Sequence, residues 1–277
     1  MSQSVEGLRP VSIESSSPDA SGAMKRLAQH SMVLRVLSFA IVLAAWEYAG
    51  RLPISPSFPT FLESLSAFVG MLLDGSLITA FGITLVPLVI GIVLSAAVGV
   101  AVGVAMGLNE RIEWFGVPVF IVMQAAPLAA LVPLLVLAYG IGIMTKVFVV
   151  CIMALPVIVL NSFKAVRHTP NSLIEMGESF MATRRQLIFK IILPSATPVI
   201  FAGLRLGLAA GFVGAILAEL LVTPTGVGDI ITYNQSIADY PKMYAAIAAV
   251  ILVSVLFIEF LGWSEQRFLR PEKRASR

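Results

Sequence analysis

Charged side chains are scarce in this sequence. Lys, Arg, Asp and Glu make up 13% of the 277 residues, whereas 58% are hydrophobic. A soluble domain of ordinary composition carries roughly 25% charged residues. Together with a mean hydropathy of +0.92, this shortage excludes a water-soluble globular domain and indicates an integral membrane protein.

Cysteine and histidine are also too few for most of the sites built on them. The single cysteine, Cys151, excludes a disulfide within the chain, and we expect it to be a small buried apolar residue. The only histidines are His30 and His168, which do not support a histidine metal site. We therefore predict neither a metal site nor catalytic residues in this chain.

No phosphate-binding P-loop is present. The nearest candidate is residues 140–146, where Thr145 replaces the second glycine and Val147 replaces the Ser or Thr that binds magnesium. The chain is therefore not expected to be an enzyme or to hold a cofactor. An ATP-driven function would require a separate ATPase subunit.

What is present is a set of six apolar runs, each long enough to cross a bilayer as a helix. The predicted spans are residues 33–50, 79–107, 115–138, 144–163, 196–221 and 243–263. Only Arg51, Lys146 and Lys242 would fall outside, so the positive-inside rule predicts that both termini are cytoplasmic. The basic pI of 9.2 reflects this topology and indicates no nucleic-acid partner.

Polar tails are predicted at both ends. Residues 1–30 are Ser-rich and are expected to form a disordered cytoplasmic tail, and residues 269–277 form a second one. The membrane domain would then comprise residues 31–268.

Small residues recur at every fourth position in two of the spans. They are Gly91, Ser95, Gly99, Gly103 and Gly107 in the second span, and Gly203, Gly207 and Gly211 in the fifth. Such ridges let another helix approach closely. They predict either ordinary helix packing or helices that slide at a subunit interface, and both interpretations can hold.

A charged segment separates the fourth and fifth spans. A helix is predicted there from about Pro170 to Phe180, capped either by Thr169 or by a capping box of Ser172 and Glu175. Its apolar face would suit a groove in a partner protein, and consists of Leu173, Ile174, Met176 and Phe180.

A second capping box, formed by Thr183 and Gln186, predicts another short helix that leads into the fifth span. The whole segment, about 165–190, resembles the coupling loop of ABC-importer permeases. That loop reads Glu-Ala-Ala, three residues, Gly, nine residues, and then Ile-x-Leu-Pro. Glu175 fills the Glu position, where it would either cap the helix locally or hold the loop in shape for the ATPase.

Two positions depart from that pattern. The Ala-Ala pair is Met176-Gly177, and Met181 stands where a glycine usually lets the chain turn between the two helices. The residues that the resemblance assigns to ATPase coupling are Glu175, Met176, Gly177, Phe180, Met181, Ile191, Leu193 and Pro194.

Further motifs extend the resemblance to permeases for nitrate, sulfonate, taurine and bicarbonate. Residues 139–146 are similar to their Phe-Gly-Ile-Gly…Ser-Lys stretch, residues 202–208 to Thr-Gly-Leu-Arg-x-Gly-Leu, and residues 218–220 to Ala-Glu-Leu. The likeness covers about 33–268. It implies an all-α type I ABC importer permease with six transmembrane helices and a cytoplasmic coupling-helix loop.

This resemblance also implies partners. Two copies of the permease would flank the pathway in a bacterial inner membrane, surrounded by membrane lipid. Two ABC ATPase subunits carrying ATP and magnesium would dock from the cytoplasm, and an extracytoplasmic binding protein would deliver substrate. The coupling loop occurs once per chain, and the glycine ridges offer close-packing faces, so we predict a homodimer.

The residues predicted to lie along the translocation pathway are Gln124, Pro127, Arg205 and Glu219. Arg205 would border the pathway or pair with a carboxylate, or else snorkel towards the cytoplasm. Glu219 is expected at the outer mouth, and Glu259 is expected to serve helix packing. The helix-packing glycines are Gly99, Gly103, Gly207 and Gly211.

One departure bears on the substrate. Many members carry Arg-Pro-x-Pro-Pro early in the third span, where this chain has residues 123–127, Met-Gln-Ala-Ala-Pro. The missing arginine disfavours a small inorganic anion and leaves a small organic acid, a sulfonate or a vitamin precursor.

The competing interpretation is a secondary transporter or channel that is not driven by ATP. Such a protein would be expected to carry a membrane-buried ion relay and often paired broken helices. Embedded carboxylates are few in this sequence, and no two-half repeat is apparent. A purely structural scaffold is disfavoured by the coupling-like loop.

Overall fold

The computed structural model describes residues 20–52, 57–222 and 225–269, and these form helices without a strand. The helices are α1 (Ala20–Arg51), α2 (Phe61–Leu73), α3 (Ser76–Leu108), α4 (Glu110–Ala125), α5 (Leu128–Tyr139), α6 (Ile143–Arg167), α7 (Asn171–Ser179), α8 (Arg184–Leu187), α9 (Leu193–Leu221), α10 (Val227–Ser236) and α11 (Tyr240–Leu269). A π-helical turn, Ile188–Ile192, joins α8 to α9.

Five of these helical stretches are long and apolar enough to cross a membrane, and α4 with α5 makes a sixth if the bent pair counts as one span. The predicted all-α fold with six apolar spans is therefore confirmed. The fifth span extends further into the charged segment than predicted, because α8, the π-helical turn and α9 run on as one helical stretch over Arg184–Leu221.

The third span is not the single helix predicted over 115–138. It breaks after Ala125, and α4 and α5 meet at an angle of 95°. Ala126 and Pro127 are extended, with ψ angles of 134° and 98°. The cause is local, because proline has no amide hydrogen to donate and disfavours a helical conformation in the residue before it.

Helix α6 lies at the centre of the bundle, packed along both α3 and α9. The glycine ridge of α3 faces α6. A methyl group added to Gly99 would lie 2.9 Å from Ile158 Cγ2, and one added to Gly103 would lie 2.6 Å from Ser162 Cβ. Gly207 of α9 approaches Ile158 from the other side.

These contacts decide between the two interpretations of the ridges. Side chains of the same chain pack against the ridge glycines, and Ile92 packs against Gly211. Ordinary helix packing is therefore what they serve. The expectation that the ridges supply a subunit interface is wrong, since α3, α6 and α9 of one chain already occupy them.

Two helices were not predicted. Helix α2 has only 13 residues, too few to span a bilayer, and α10 has 10. The α2 start carried a readable signal, because Thr60 and Glu63 form a capping box. Helix α1 in turn contacts the segment just before α2, where Trp46 Nε1 donates to the Pro59 carbonyl at 3.1 Å.

The predicted tail 1–30 is partly helical. Helix α1 begins at Ala20, where Ala, Met, Lys, Arg, Leu and Gln favour a helix. Residues 1–19, and most of the predicted tail 269–277, lie outside the described residues.

Candidate functional site

The predicted turn between two short helices is present at Met181. This residue has a φ of +53°, in the left-handed region that glycine adopts most easily. The Met181 amide donates to the Glu178 carbonyl at 2.8 Å, and the Ala182 amide donates to the Gly177 carbonyl at 3.0 Å. These bonds close the end of α7 and direct the chain into α8.

Helix α7 folds back against the helix that follows it. Gly177 is buried, and a methyl group there would lie 2.5 Å from both Leu187 Cδ2 and Ile191 Cδ1. The ends of these two side chains would therefore have to shift to admit even a methyl group. This explains why a glycine is tolerated where the family pattern has alanine, and it places Ile191 inside the α7–α8 contact.

The second capping box is confirmed at the start of α8. The Thr183 amide donates to Gln186 Oε1 at 2.8 Å, and the Thr183 hydroxyl accepts from the Gln186 amide at 3.4 Å. The π-helical turn precedes Leu193 and Pro194 at the start of α9. Since proline clashes with the carbonyl four residues before it, a locally widened turn accommodates Pro194 in a continuous helix.

An apolar surface projects from this unit. Met176, Phe180 and Met181 are 48%, 81% and 91% exposed. Arg185 adds a charge beside it, with its guanidinium 6.0 Å from the centre of the Phe189 ring. These side chains lie between two spans, which end at Arg167 and begin at Arg184, so they differ from the exposed apolar side chains of the spans themselves and are typical of an interaction surface.

Two details of the predicted loop are wrong. Thr169 does not cap α7, because it is buried and its hydroxyl donates to the Val166 carbonyl at 3.0 Å. Pro170 is the N-cap residue instead and makes no side-chain cap. Glu175 is neither a cap nor in the first turn of α7, so its carboxylate lies exposed in the second turn, away from the strongest part of the helix dipole.

The break of the third span exposes two of the predicted pathway residues. Gln124 and Pro127 are both exposed, and no hydrogen bond occupies the Gln124 amide within the described part of the chain. A broken helix leaves backbone carbonyls free at the end of α4 and amides free at the start of α5. Free backbone groups of this kind are tolerated at membrane depth only where protein or water covers them.

Arg205 forms an ion pair with Glu265 of α11, which is the carboxylate alternative among those predicted for it. The guanidinium thus faces α11, whereas α5 packs on α6 and α9. No described contact joins Arg205 to the broken span, so its role in the pathway stays a prediction. Glu265 was missed by the sequence analysis. Glu259, predicted to serve packing, is instead exposed on α11.

Glu219 is not at an open outer mouth. Its side chain is fully buried and pairs with Lys146 Nζ at 2.8 Å. Sequence reasoning considered Lys146 as part of a failed P-loop, as an outer basic residue and as the end of a family-like stretch, and it missed this pair. The sequence placed both residues near the predicted outer ends of their spans, but it did not show that these two spans pack together.

Comparison with known proteins agrees with this geometry. The family described as "Binding-protein-dependent transport system inner membrane component" matches residues 97–270. The riboflavin transport system permease protein RibX of Chloroflexus aurantiacus is 34% identical over 56% of this chain and 58% of its own length. The putative aliphatic sulfonates transport permease protein SsuC of Bacillus subtilis is 27% identical over 83% and 84%.

Other similarities support the same conclusion. The taurine transport system permease protein TauC of Escherichia coli is 26% identical over 87% of this chain and 90% of its own. An inward-facing structure of the MetNI methionine ABC transporter matches 73% of this chain and 96% of its own chain, with a TM-score of 0.53 and 20% identity. This last match shows that the fold is that of a type I importer permease.

ATP hydrolysis in such transporters belongs to a separate subunit, and a substrate-binding protein is a further partner. The family match, together with the exposed α7–α8 unit, excludes the interpretation as a secondary transporter or channel. The chain belongs to the binding-protein-dependent inner membrane component family and is the multi-pass permease subunit of an ABC importer.

Proposed function

We propose that two copies of this chain form the pathway of an importer for a small organic acid, a sulfonate or a related organic anion. The observation that carries this proposal is the break between α4 and α5. Helix α4 has 16 residues, or about 24 Å of helix at 1.5 Å per residue, so its end lies well inside a bilayer. An interrupted helix at this depth would offer free backbone groups to a substrate, as the broken helices of secondary transporters do.

The chemistry at the break supports an organic substrate. Helices α4 and α5 carry one cationic residue, Arg111, at the far end of α4. The groups near the break are the Gln124 amide, free backbone groups and apolar side chains. These can bind an apolar body and orient a polar group, but they offer no fixed positive charge to a bare inorganic anion.

A second copy would complete the pathway. The surfaces of α4 and α5 remain uncovered in one chain, as Trp114, Val122 and Leu137 are 82%, 70% and 86% exposed. A homodimer would cover part of them and enclose the break, and membrane lipid would cover the rest, including α1. Mass measurement of the intact complex would distinguish two identical copies from one copy or from two different permeases.

In this proposal the α7–α8 unit receives the motion of the ATPase. ATP and magnesium would bind the ATPase, Met176 and Phe180 would enter a groove on it, and Met181 would hold the turn beside that groove. The surplus of Lys and Arg on the same side as α7 supports cytoplasmic placement of this unit and of both termini. The π-helical turn and α9 would carry the displacement into the membrane.

The substrate class is tested with the permease, its ATPase and its binding protein reconstituted in liposomes. Taurine, riboflavin, formylaminopyrimidine and nitrate are added in turn, and ATP hydrolysis and uptake are measured. We expect taurine, which carries a sulfonate, to stimulate both, and nitrate to stimulate neither. Stimulation by nitrate alone, or only by riboflavin or formylaminopyrimidine, which carry no acidic group, would refute the organic anion.

The route of coupling is tested with Gly177→Leu in the same system. This change forces α7 away from Leu187 and Ile191 and is expected to abolish stimulated uptake. Gly70→Leu is the control, because a side chain at Gly70 meets nothing within 4 Å. Equal uptake by the two variants would show that α7 does not transmit the motion.

A further inference from the structure

A buried polar cluster joins four helices at the predicted outer side of the membrane. Its centre is Glu219 of α9, whose Oε1 accepts from Lys146 Nζ of α6 at 2.8 Å. The Thr84 hydroxyl of α3 lies 2.9 Å from Glu219 Oε2. The same Oε2 accepts from the Gly228 amide in the first turn of α10 at 3.0 Å.

The cluster also holds the chain that leads into α10. Lys146 Nζ donates to Thr225 Oγ1 at 3.0 Å, and the Val227 amide donates to Thr84 Oγ1 at 3.0 Å. Two successive backbone amides of α10 therefore donate hydrogen bonds to side chains of α3 and α9. Without these acceptors they would be buried donors with no partner, since Val227 and Gly228 are both buried.

Burial makes the arrangement difficult to open. The Lys146 and Glu219 side chains are 4% and 0% exposed. Separating a buried ammonium from a buried carboxylate leaves both charges without compensation, which is strongly unfavourable. The pair can persist through a conformational cycle only if the outer ends of α6 and α9 stay together.

We propose that Lys146, Glu219 and Thr84 are positioning residues that bind the outer ends of α3, α6 and α9 and the start of α10 into one rigid unit during transport. The proposal rests on the transport function proposed above. The outer side of the pathway would then open by movement of this whole unit against the broken span and the second copy. Helices α6 and α9 would not separate.

The first test is hydrogen exchange of the intact complex, which does not depend on transport. Glu219→Gln removes the charge that accepts from the Gly228 amide. We expect peptides over 227–236 to exchange on the order of 10- to 100-fold faster than in the wild type, the range for loss of a charge-assisted bond. Glu265→Gln is the matched control, because it breaks the Arg205–Glu265 ion pair between α9 and α11 and keeps the contacts of α10 with Glu219 and Thr84.

Thr84→Val provides a second variant that keeps both charges and nearly the same volume. It should also accelerate exchange at the start of α10, because the Val227 amide loses its acceptor. If either variant assembles with unchanged protection over 227–236, the cluster does not hold α10 and the proposal is overturned. A general loosening of all helices by both variants would also overturn it.

The second test locks α6 to α9. In a Cys151→Ala background, Met153→Cys with Gly214→Cys places two Cβ atoms about 3.3 Å apart, close to disulfide distance. Oxidised transporter is expected to retain uptake within about twofold of its reduced form. Loss of uptake on oxidation and recovery on reduction would show that α6 and α9 move apart. If the reduced and the oxidised forms both show no uptake, the proposed transport function fails. The hydrogen-exchange result would still decide whether the cluster holds α10.

Discussion

The turn at Met181 gives a prediction whose magnitude follows from the structure. A left-handed residue with a Cβ costs roughly 1–2 kcal/mol relative to glycine. Glycine also makes the unfolded chain more flexible, which costs about 0.4–1 kcal/mol. Met181 is 91% exposed, so Met181→Gly removes little packing. We therefore expect a net local stabilisation of about 0.5–1 kcal/mol.

Hydrogen exchange at the turn is the assay. The Met181 and Ala182 amides close it, and a gain of this size would slow the exchange of the Ala182 amide by about two- to fivefold. Met181→Ala is the control, because it removes the thioether and keeps the strained backbone. Exchange as fast in the glycine variant as in the alanine variant would refute the reasoning.

The same two variants show whether docking depends on the backbone geometry of the turn or on contact between the Met181 side chain and the ATPase. If the turn geometry matters for docking, Met181→Gly keeps ATPase association at the wild-type level. If the exposed thioether itself contacts the ATPase, both variants weaken association to the same extent. We expect the glycine variant to be tolerated and ATPase association to persist.

Three further predictions concern other parts of the chain. Gly103→Leu should destabilise the bundle by about 1–3 kcal/mol through overpacking against α6, whereas Gly82→Leu on the same helix meets open space and should leave the melting temperature unchanged. Glu175→Lys should impair ATPase coupling and uptake while the permease still assembles; unchanged coupling would remove this residue from the coupling surface. Arg205→Gln should lower stability by about 1–2 kcal/mol, less than for a fully buried pair because the arginine side chain is 35% exposed. Removing Glu265 as well should restore part of that loss, and a melting curve unchanged in the single variant would contradict the pairing.

Features encoded in a few neighbouring residues could be predicted from the sequence. The six spans follow from the length of apolar runs, and the start of α8 follows from Thr183 and Gln186. The turn at Met181 followed from the position of a glycine in related loops. The break of the third span could also have been predicted, because proline disfavours a helical conformation in the residue before it. The 95° angle between α4 and α5 could not, because it depends on how both helices pack on α6.

Features that depend on distant residues could not be predicted. Lys146 and Glu219 lie 73 positions apart, and Thr84 and Glu219 lie 135 apart. These residues meet because α3, α6 and α9 pack together. The length and spacing of apolar runs in the sequence do not show which spans pack against each other. The same reason explains the glycine ridges. The spacing shows that a helix comes close, but only the structure shows that this helix is α6 of the same chain.

The central claim is that the exposed apolar surface on α7 is where the ATPase docks. It is tested by attaching a photocrosslinker to a single cysteine at residue 180, in place of Phe180, with Cys151 replaced by alanine. The account predicts a product of permease and ATPase from residue 180, and none from a cysteine replacing Tyr233 on α10 at the outer end. An intact complex in which residue 180 does not crosslink to the ATPase, or in which residue 233 does, would contradict the account.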